Sequence, residues 1–340
     1  MSERRLWLDL SPGEARGVVT LGGLPERLLI ERDGVDRGPR LGARYRARIT
    51  ELAPALRLAY LDLGAGETAV LPLPRDGASA RGATLEIEIA AEARAGKAAA
   101  GRLLGPGAGP PQRLAEPPPL RTRLQAFAPD APIHEGEAAR EAADEAEDAV
   151  LASRHDLPGG LSLTIEPTTA LTAIDLDWSG EGPAKARQKA NLAGVAHAAR
   201  LLRLKGRGGT AVIDLVGFPG READQMLAEA RRALEHDGPG VTVLPVSRLG
   251  LLQLARPHHE TPTAELLCAP DGRLSARSIA QRLVRALERE GRGDPGAQLI
   301  AAASPEVAAA LQPLVAALGP RFGVAAELGW DRLKTDIRSR

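Results

Sequence analysis

The sequence Leu161-Ser-Leu-Thr-Ile-Glu-Pro-Thr-Thr-Ala-Leu-Thr-Ala-Ile-Asp-Leu-Asp177 is followed, after a basic segment, by Thr210-Ala-Val-Ile-Asp-Leu-Val216. Apolar and polar residues alternate on both sides of Pro167, which predicts two strands joined by a turn. The second stretch is typical of a buried strand. Residues 184–205 between them predict a helix that ends before Gly208-Gly209. A strand, a helix and a second strand in this order indicate an α/β unit with helices packed on a sheet.

The α/β pattern continues toward the C-terminus. We predict a helix over 221–236, a strand over 241–246 and a further strand within 247–254. After a polar break, a last α/β portion covers about 272–340.

Short strand-like segments dominate the N-terminal third. Residues 16–32 predict a hairpin that turns at Gly22-Gly23. Further segments separated by Gly and Pro predict a small antiparallel barrel; they are 43–52, 56–63, 68–73 and 84–90. Six prolines in 105–120 predict a linker with little room for a ladder or a helix. Residues 135–152 predict an acidic helix with a solvated face.

Composition limits the class of protein. A length of 340 residues suggests two or three domains, and a hydrophobic fraction of 44% excludes wholesale disorder. The single cysteine, Cys268, excludes an intramolecular disulfide framework and a zinc site built from several thiolates of one chain. The sequence shows no signal peptide and no apolar run long enough to span a membrane, so we expect a soluble cytoplasmic protein.

Charge is balanced overall but polarised locally. The formal net charge is zero, with 44 basic and 44 acidic residues. Residues 37–48 contain five arginines and no acid, and residues 182–213 contain seven basic residues and no acid. Residues 135–148 contain seven acids and one arginine. The positive segments are suited to binding a phosphate backbone.

Three aspartates stand where the predicted strands end. Asp175 and Asp177 close one strand, and Asp214 interrupts the apolar strand that follows the helix. If the two strands are neighbours, the carboxylates converge at one edge of the sheet and offer the oxygen ligands that magnesium prefers. An aspartate at a strand end also serves as a turn former or a helix cap, and the spacing alone leaves both interpretations open.

The intervening helix carries a basic stripe beside its apolar one. Its apolar stripe consists of Leu192, Val195, Ala199 and Leu202. Four basic residues fall on a neighbouring arc; they are Lys185, Lys189, Arg200 and Arg203. Such a stripe can hold a phosphodiester over a cation, or it can simply be the solvated face of the helix.

These motifs resemble those of a known family. The chain is similar to the catalytic core of the ribonuclease E/G family in several blocks that occur in the right order. The blocks are Ile165–Asp175, Asn191-Leu192, Ala199–Leu204, Gly208-Gly209, Val212–Asp214 and Ser247–Leu254. The resemblance covers about 158–256 strongly. It continues more weakly over 42–73, which looks like the RNA-binding barrel of that family.

The resemblance implies a multidomain protein of mixed α+β and α/β class. It divides the chain into an RNase H-like N-terminal part, an inserted OB-fold RNA-binding barrel, a Pro-rich linker with the remainder of the RNase H-like part, a DNase I-like catalytic domain, and a link with a small C-terminal α/β domain. The corresponding ranges are 1–38, 39–104, 105–157, 158–256 and 257–340.

The resemblance also implies roles for single residues. Asp175 and Asp214 match the aspartates that hold the catalytic Mg²⁺, for which Mn²⁺ can substitute, and Asp177 stands where the family usually has Asn. Tyr60 matches one aromatic residue of the barrel, and the second aromatic position is occupied by Val70. Lys97 resembles a basic RNA contact of the barrel. Together with the basic stripe of the helix and Arg248, the predicted RNA-binding residues are Tyr60, Lys97, Lys185, Lys189, Arg200, Arg203 and Arg248.

The chain departs from the family pattern in two places. Only about 70 residues separate Leu104 from Asp175, so we expect the sensor for an RNA 5′-monophosphate to be missing. The family joins protomers through a zinc link with two nearby cysteines per chain, whereas this region contains His258, His259 and only Cys268. We therefore do not expect zinc or a zinc-linked tetramer, and we expect a monomer or a homodimer.

The sequence thus favours a magnesium-dependent endoribonuclease for single-stranded RNA. Metal-activated water would cut the strand and leave 5′-phosphate and 3′-hydroxyl ends, in RNA processing or decay. The alternative is an RNA-binding protein of the same family with little or no catalytic activity. A metal-dependent phosphatase or DNA nuclease rests on the carboxylates alone.

Overall fold

The computed structural model describes residues 3–34, 38–73, 80–180, 183–218 and 220–339. Its strands are β1 Arg4–Ser11, β2 Glu14–Leu21, β3 Leu24–Arg32, β4 Arg44–Ala53, β5 Leu58–Gly64, β6 Glu67–Pro72, β7 Thr84–Ala91, β8 Ala100–Pro106, β9 Gln112–Ala115, β10 Ile133–His134, β11 Arg154–Leu157, β12 Leu161–Pro167, β13 Thr172–Trp178, β14 Gly209–Asp214, β15 Thr242–Val243, β16 Leu251–Arg256, β17 Leu299–Ala303, β18 Phe322–Ala326 and β19 Thr335–Ser339. Its α-helices are α1 Leu120–Gln125, α2 Glu137–Leu151, α3 Ala184–Leu204, α4 Ala223–Leu234, α5 Thr263–Leu267, α6 Ala276–Gly293 and α7 Pro305–Ala316. None of these helices is long and apolar enough to cross a membrane.

The first sheet joins segments from before and after the barrel. Its strand order is β10-β1-β2-β3. Strands β2 and β3 form the predicted hairpin, and Gly22 and Gly23 adopt φ of 60° and 85° at its turn, a conformation that glycine adopts without strain. The barrel strands therefore lie in the chain between β3 and β10 of this sheet. The exact domain boundaries and the RNase H-like and DNase I-like assignments stay predictions.

Five antiparallel and parallel pairings close the predicted barrel. Strand β4 pairs with β5 and β7, β5 pairs with β6, and β8 pairs with both β6 and β7. The OB-like barrel is thus confirmed. The sequence did not reveal β8, because Gly101 and Gly105 interrupt its apolar pattern. Of the basic stretch 37–48, Arg37 lies outside the described residues.

The expectation that 105–120 forms no ladder is wrong. Residues Gln112–Ala115 form β9, which pairs with β4 at the edge of the barrel sheet. The prolines flank this strand rather than interrupt it, and an edge strand needs hydrogen bonds on one side only.

The central sheet has six strands in the order β11-β12-β13-β14-β16-β15. Strands β13 and β14 are parallel, with α3 as the crossover between them, and the other pairs are antiparallel. Alternate residues of these strands are buried against α3 and α4, including Ile174, Leu176 and Ile213. The opposite face of the sheet is not covered by these helices, and the side chains on it are largely polar. We call it the open face.

Two predicted elements differ in length. The strand predicted over 241–246 contains only Thr242–Val243. Residues 247–250 form a turn before β16, since Gly250 N–H donates to Ser247 O and the Ser247 hydroxyl accepts from the N–H of Leu251. Leu244 N–H still donates to Gln253 O at 2.9 Å, and Pro245, which follows, has no N–H to continue the pairing.

Buried ion pairs attach the C-terminal α/β portion, whose sheet order is β18-β17-β19, to the rest of the molecule. Arg16 is fully buried and pairs with Asp9 and Glu147, and Arg285 of α6 pairs with Glu147 and Glu14. The expectation of a merely solvated acidic helix is therefore wrong for one face of α2. Breaking such a buried pair costs about 3–5 kcal/mol, so the network fixes how these layers sit together.

Candidate catalytic carboxylates and their surroundings

The register of β13 and β14 places two aspartates side by side. Asp175 is the direct partner of Asp214 across the parallel pair, and the preceding partners are Ile174 and Ile213. Both isoleucines are buried, whereas both aspartates are exposed, so the carboxylates lie on the open face of the sheet. Neighbouring strands are about 4.8 Å apart, a separation over which two carboxylates can share one cation.

Asp177 lies on the same open face, two residues further along β13, where its register partner is buried Ser162 of β12. It is exposed, like Asp175. Within the described ranges, no three His, Cys, Asp or Glu side chains form a group that could hold a metal ion. Asp175 and Asp214 are thus adjacent on the open face, and Asp177 lies two residues further along the same strand.

The negative charge of the two aspartates is not neutralised by the protein. Among the residues that the structure describes, neither Asp175 nor Asp214 has a side-chain hydrogen bond or an ion pair. Two adjacent carboxylates without a cation repel each other, and a divalent cation removes that repulsion. Hard oxygen donors on an open sheet face, with room for water ligands, fit magnesium or manganese.

Asn191 of α3 fixes the chain directly after Asp214. Its side-chain amide donates to Val216 O at 3.0 Å, and its side-chain oxygen accepts from Val216 N–H at 2.9 Å. Asn191 is fully buried, so these bonds are shielded from water. Asn191 is part of the sequence motif, but its role was not predicted from the sequence. A polar residue among apolar residues of a helix indicates a buried hydrogen bond, and this pattern could have revealed its function.

The turn before β16 brings Arg248 to the end of β14. Leu215 N–H, directly after Asp214, donates to Gly250 O at 3.3 Å, and Asp214 itself pairs in register with Leu251. Arg248 is exposed on this turn. The structure therefore places the turn of this predicted RNA-binding cation beside the end of β14 that carries Asp214.

The predicted basic stripe of α3 is split. Lys185 and Lys189 are exposed near the N-terminus of the helix, which follows the end of β13. Arg200 and Arg203 are buried, and the structure does not bring them to the aspartates. Lys205, a further basic residue of this segment, is also buried and donates to the carbonyls of the last turn of α2.

Arg200 and Arg203 hold the helix against the first sheet. Arg200 donates to Pro25 O, and Arg203 pairs with Glu26 and Asp237 at 2.8 Å each. Burial, reinforced by the charge of Arg203, lowers the pKa of Arg200 to about 10. The prediction that these two arginines contact RNA is corrected accordingly: in this structure their charge is used inside the protein.

Tyr60 lies on the outside of the barrel. Its neighbours along β5, Ala59 and Leu61, are buried, whereas 39% of Tyr60 is exposed, enough to offer a ring face. Its register partner on β6 is Val70, so the two positions predicted for aromatic residues are adjacent across the strands. Lys97 is exposed on the loop between β7 and β8.

Trp178 is a packing residue rather than part of the open face. Its ring packs against the main core, and its indole N–H donates to Gly159 O at 3.0 Å.

Cys268 is half-buried and free, and burial raises the pKa of its thiol.

The fold and the site define a class of protein: a mixed α and β molecule with a closed five-strand barrel and a pair of carboxylates at adjacent strand ends. The model of the ribonuclease E/G family matches residues 121–259. The match of this segment confirms the resemblance of its motifs to that family.

Curated relatives are similar to part of the chain. The chain is 30% identical over 164 residues to the chloroplastic ribonuclease E/G-like protein of Arabidopsis thaliana, covering 43% of this chain and 16% of that protein. It is 32% identical over 126 residues to ribonuclease E of Synechocystis, covering 35% and 18%. It is 30% identical over 150 residues to ribonuclease E of Escherichia coli, covering 39% and 14%. The matched part thus spans less than a fifth of each relative.

Proposed function

We propose that this protein is an endoribonuclease that cuts single-stranded RNA with a divalent cation, Mg²⁺ in the first place, held by Asp175 and Asp214. The observation that carries the proposal is the direct register of these two aspartates on the open face of the central sheet. The match of residues 121–259 to the ribonuclease E/G family model supports the reaction class, RNA processing or decay as its setting, and RNA as the substrate.

The chemistry follows from the arrangement of charges. When bound, the cation activates water and stabilises negative charge on the phosphoryl oxygens. Attack of water on phosphorus, with the 3′-oxygen as leaving group, gives a 5′-phosphate and a 3′-hydroxyl. The exposed cations Lys185, Lys189 and Arg248 bind neighbouring phosphates, and Asp177 orients groups at the edge of the site.

The barrel holds the strand while the carboxylates act on it. An exposed ring on a barrel surface stacks a base without reading its sequence, and each such stack contributes about 1–3 kcal/mol. Tyr60 provides one such ring. Lys97 adds a positive charge on the loop that leads into β8.

A second function has specific support. Val70 occupies the second aromatic position, and Asp177 replaces the asparagine usual in the family, so the chain could bind RNA with little or no cleavage. The two functions differ in one observable property, since only the endoribonuclease shortens RNA when magnesium is added.

The test compares the wild type with Asp175→Asn and Asp214→Asn on a labelled AU-rich single strand, with and without Mg²⁺. We expect magnesium-dependent cutting by the wild type and a loss of at least about 100-fold in either variant, because several kcal/mol of charge stabilisation disappear. RNA binding persists in both variants. Asp156→Asn is the matched control, since Asp156 is an exposed aspartate at the edge of the same sheet.

Full cleavage by either active-site variant contradicts the proposal. Binding by the wild type without magnesium-dependent cutting replaces it with the RNA-binding function.

A further inference from the structure

Three cations lie where the barrel meets the central sheet. Arg94 and Lys97 belong to the loop between β7 and β8, and Arg207 belongs to the turn between α3 and β14. We call these three residues the junction cluster. In the described part of the chain, none of them forms an ion pair.

The barrel loop presents its two cations on one side. Arg94 N–H donates to Lys97 O at 3.1 Å, and Lys97 N–H donates to Arg94 O at 2.8 Å. This is an isolated antiparallel bridge, closed by Gly96 at φ 72°. Bridged residues of an antiparallel pair project their side chains to the same side. The loop therefore concentrates positive charge instead of spreading it.

The segment 257–265 fixes this loop in place. Glu92 N–H donates to His259 O at 2.7 Å, and Ala95 N–H donates to a carboxylate oxygen of Glu265 at 2.8 Å. The Thr261 hydroxyl donates to Ala93 O at 2.8 Å. The position of Arg94 and Lys97 is thus determined by contacts on the other side of the junction.

The turn that carries Arg207 packs on the same segment. Thr263 N–H donates to Lys205 O at 3.2 Å. A Cβ on Gly208 would lie 2.6 Å from Pro257 O, so only glycine allows this close approach. The barrel loop and the turn before β14 therefore converge on one short segment.

The electrostatics of the neighbouring residues show that the charges interact. Burial lowers the pKa of Arg94 and of Arg207, and the same carboxylate, Glu265, opposes that decrease in both. Burial, together with the charges of Arg94 and Lys97, lowers the pKa of His258 to about 4. Arg94 and Arg207 thus share one carboxylate, Glu265, which already accepts a backbone hydrogen bond, and the bridge of the loop adds Lys97 on the same side as Arg94. The junction therefore has a surplus of positive charge.

The junction cluster lies between the two parts of the proposed RNA path. Val70, beside Tyr60 on the barrel, is in register with Ala100, just after the loop that carries Lys97. On the other side, β14 runs from Gly209, directly after the turn of Arg207, to Asp214. That strand length corresponds to about 17 Å. A single strand that follows β14 from its start to the aspartates therefore begins at the junction.

We propose that Arg94 and Arg207, on either side of the junction, extend the RNA contact already expected at Lys97: they bind the phosphate backbone of single-stranded RNA between the outer face of the barrel and the aspartate pair. This inference rests on the proposed function and adds to it a subsite at the opposite end of β14 from the aspartates. The site reads backbone charge and not base identity, because its side chains are positively charged and not aromatic.

The test measures RNA binding in the Asp214→Asn background, so that cleavage does not interfere. Arg94→Gln and Arg207→Gln are combined, and the affinity for a labelled single strand of about 16 nucleotides, the upper site size of one barrel of this type, is measured over a range of salt concentrations. We expect the slope of log affinity against log salt to decrease by about 0.7 for each phosphate that the variant no longer binds. Each single variant should show about half of the change in the double variant.

The matched control removes the same charge elsewhere. Arg289→Gln and Arg292→Gln, two exposed arginines of α6 that pair with Glu137, should leave the slope unchanged. An unchanged slope in the junction double variant, or an equal decrease in the control, overturns the proposal. Wild-type cleavage of the same RNA shows that the proposed function stands in that case; absence of both binding and cleavage overturns the two together.

Discussion

Asp214 shows how a carboxylate is tolerated within an apolar strand. The side chains of β14 alternate between the core and the open face, so Ala211 and Ile213 are buried while Asp214 is exposed. The charge is therefore not desolvated, and no large penalty opposes it. Its cost is repulsion from Asp175, which a divalent cation relieves.

Asn191 acts on Asp214 through the backbone, which makes it a positioning residue. Replacing it by alanine leaves the N–H and C=O of Val216 without their partner, and we expect a loss of about 1–3 kcal/mol of unfolding free energy. We also expect metal affinity to decrease by about 10–100-fold, the usual effect of removing a group that supports a metal ligand. Denaturant unfolding and calorimetric titration with Mn²⁺ measure the two effects.

The control for Asn191 lies on the same helix. Gln188 contacts Gln225 of α4 at an exposed position, so Gln188→Ala should change neither quantity appreciably. If Asn191→Ala lowers stability but leaves the affinity for Mn²⁺ unchanged in the folded protein, Asn191 has a structural role only.

Strands β5 and β6 of the barrel have two adjacent positions that could each hold an aromatic side chain. Only one of them, Tyr60, does, and its partner is Val70. Tyr60→Ala should weaken binding of single-stranded RNA by about 5–150-fold, because one stack of about 1–3 kcal/mol disappears. Val70→Phe should strengthen binding, since it adds a second ring directly opposite the first. Fluorescence anisotropy with labelled RNA measures both changes.

Tyr60→Phe keeps the ring and is the control for loss of the hydroxyl. If Tyr60→Ala binds RNA as tightly as the wild type, this face of the barrel does not bind the strand.

Most elements could be predicted because their patterns are local. The hairpin of β2 and β3, strands β12 to β14 and helix α3 follow from alternation, from the helical period and from glycine at turns. Strand β9 could not be predicted, since its four exposed residues carry no apolar alternation and its only support is the partner β4.

The site shows the same division between local and distant information. The pairing of Asp175 with Asp214 follows from a parallel strand–helix–strand unit, which the sequence indicates. The burial of Arg200 and Arg203 depends on β3, which packs on that part of α3 and is more than 160 residues away in the chain. A helical period places these arginines on one face but does not reveal which other element packs against it.

At the scale of the whole molecule, few residues separate the barrel from the central sheet. The segment between β8 and β12 forms only β9, α1, β10, α2 and β11, and these elements complete the barrel edge, the first sheet and the edge of the central sheet. That this segment lacks a sensor for an RNA 5′-monophosphate stays a prediction.

We expect the cleavage rate to be the same for RNA with a 5′-monophosphate and for RNA with a 5′-hydroxyl. The two substrates, otherwise identical in sequence and length, are compared under single-turnover conditions. A strong preference for the 5′-monophosphate would contradict the expectation and require a binding pocket for that end elsewhere in the chain.

The central claim is that Asp175 and Asp214 share one divalent cation. Measuring the binding of Mn²⁺ by electron paramagnetic resonance tests this claim independently of activity. We predict one Mn²⁺ per chain in the wild type, competed by Mg²⁺, and a loss of this binding in both Asp175→Asn and Asp214→Asn but not in Asp156→Asn. Binding of Mn²⁺ with unchanged stoichiometry and affinity in either of the first two variants would contradict the account.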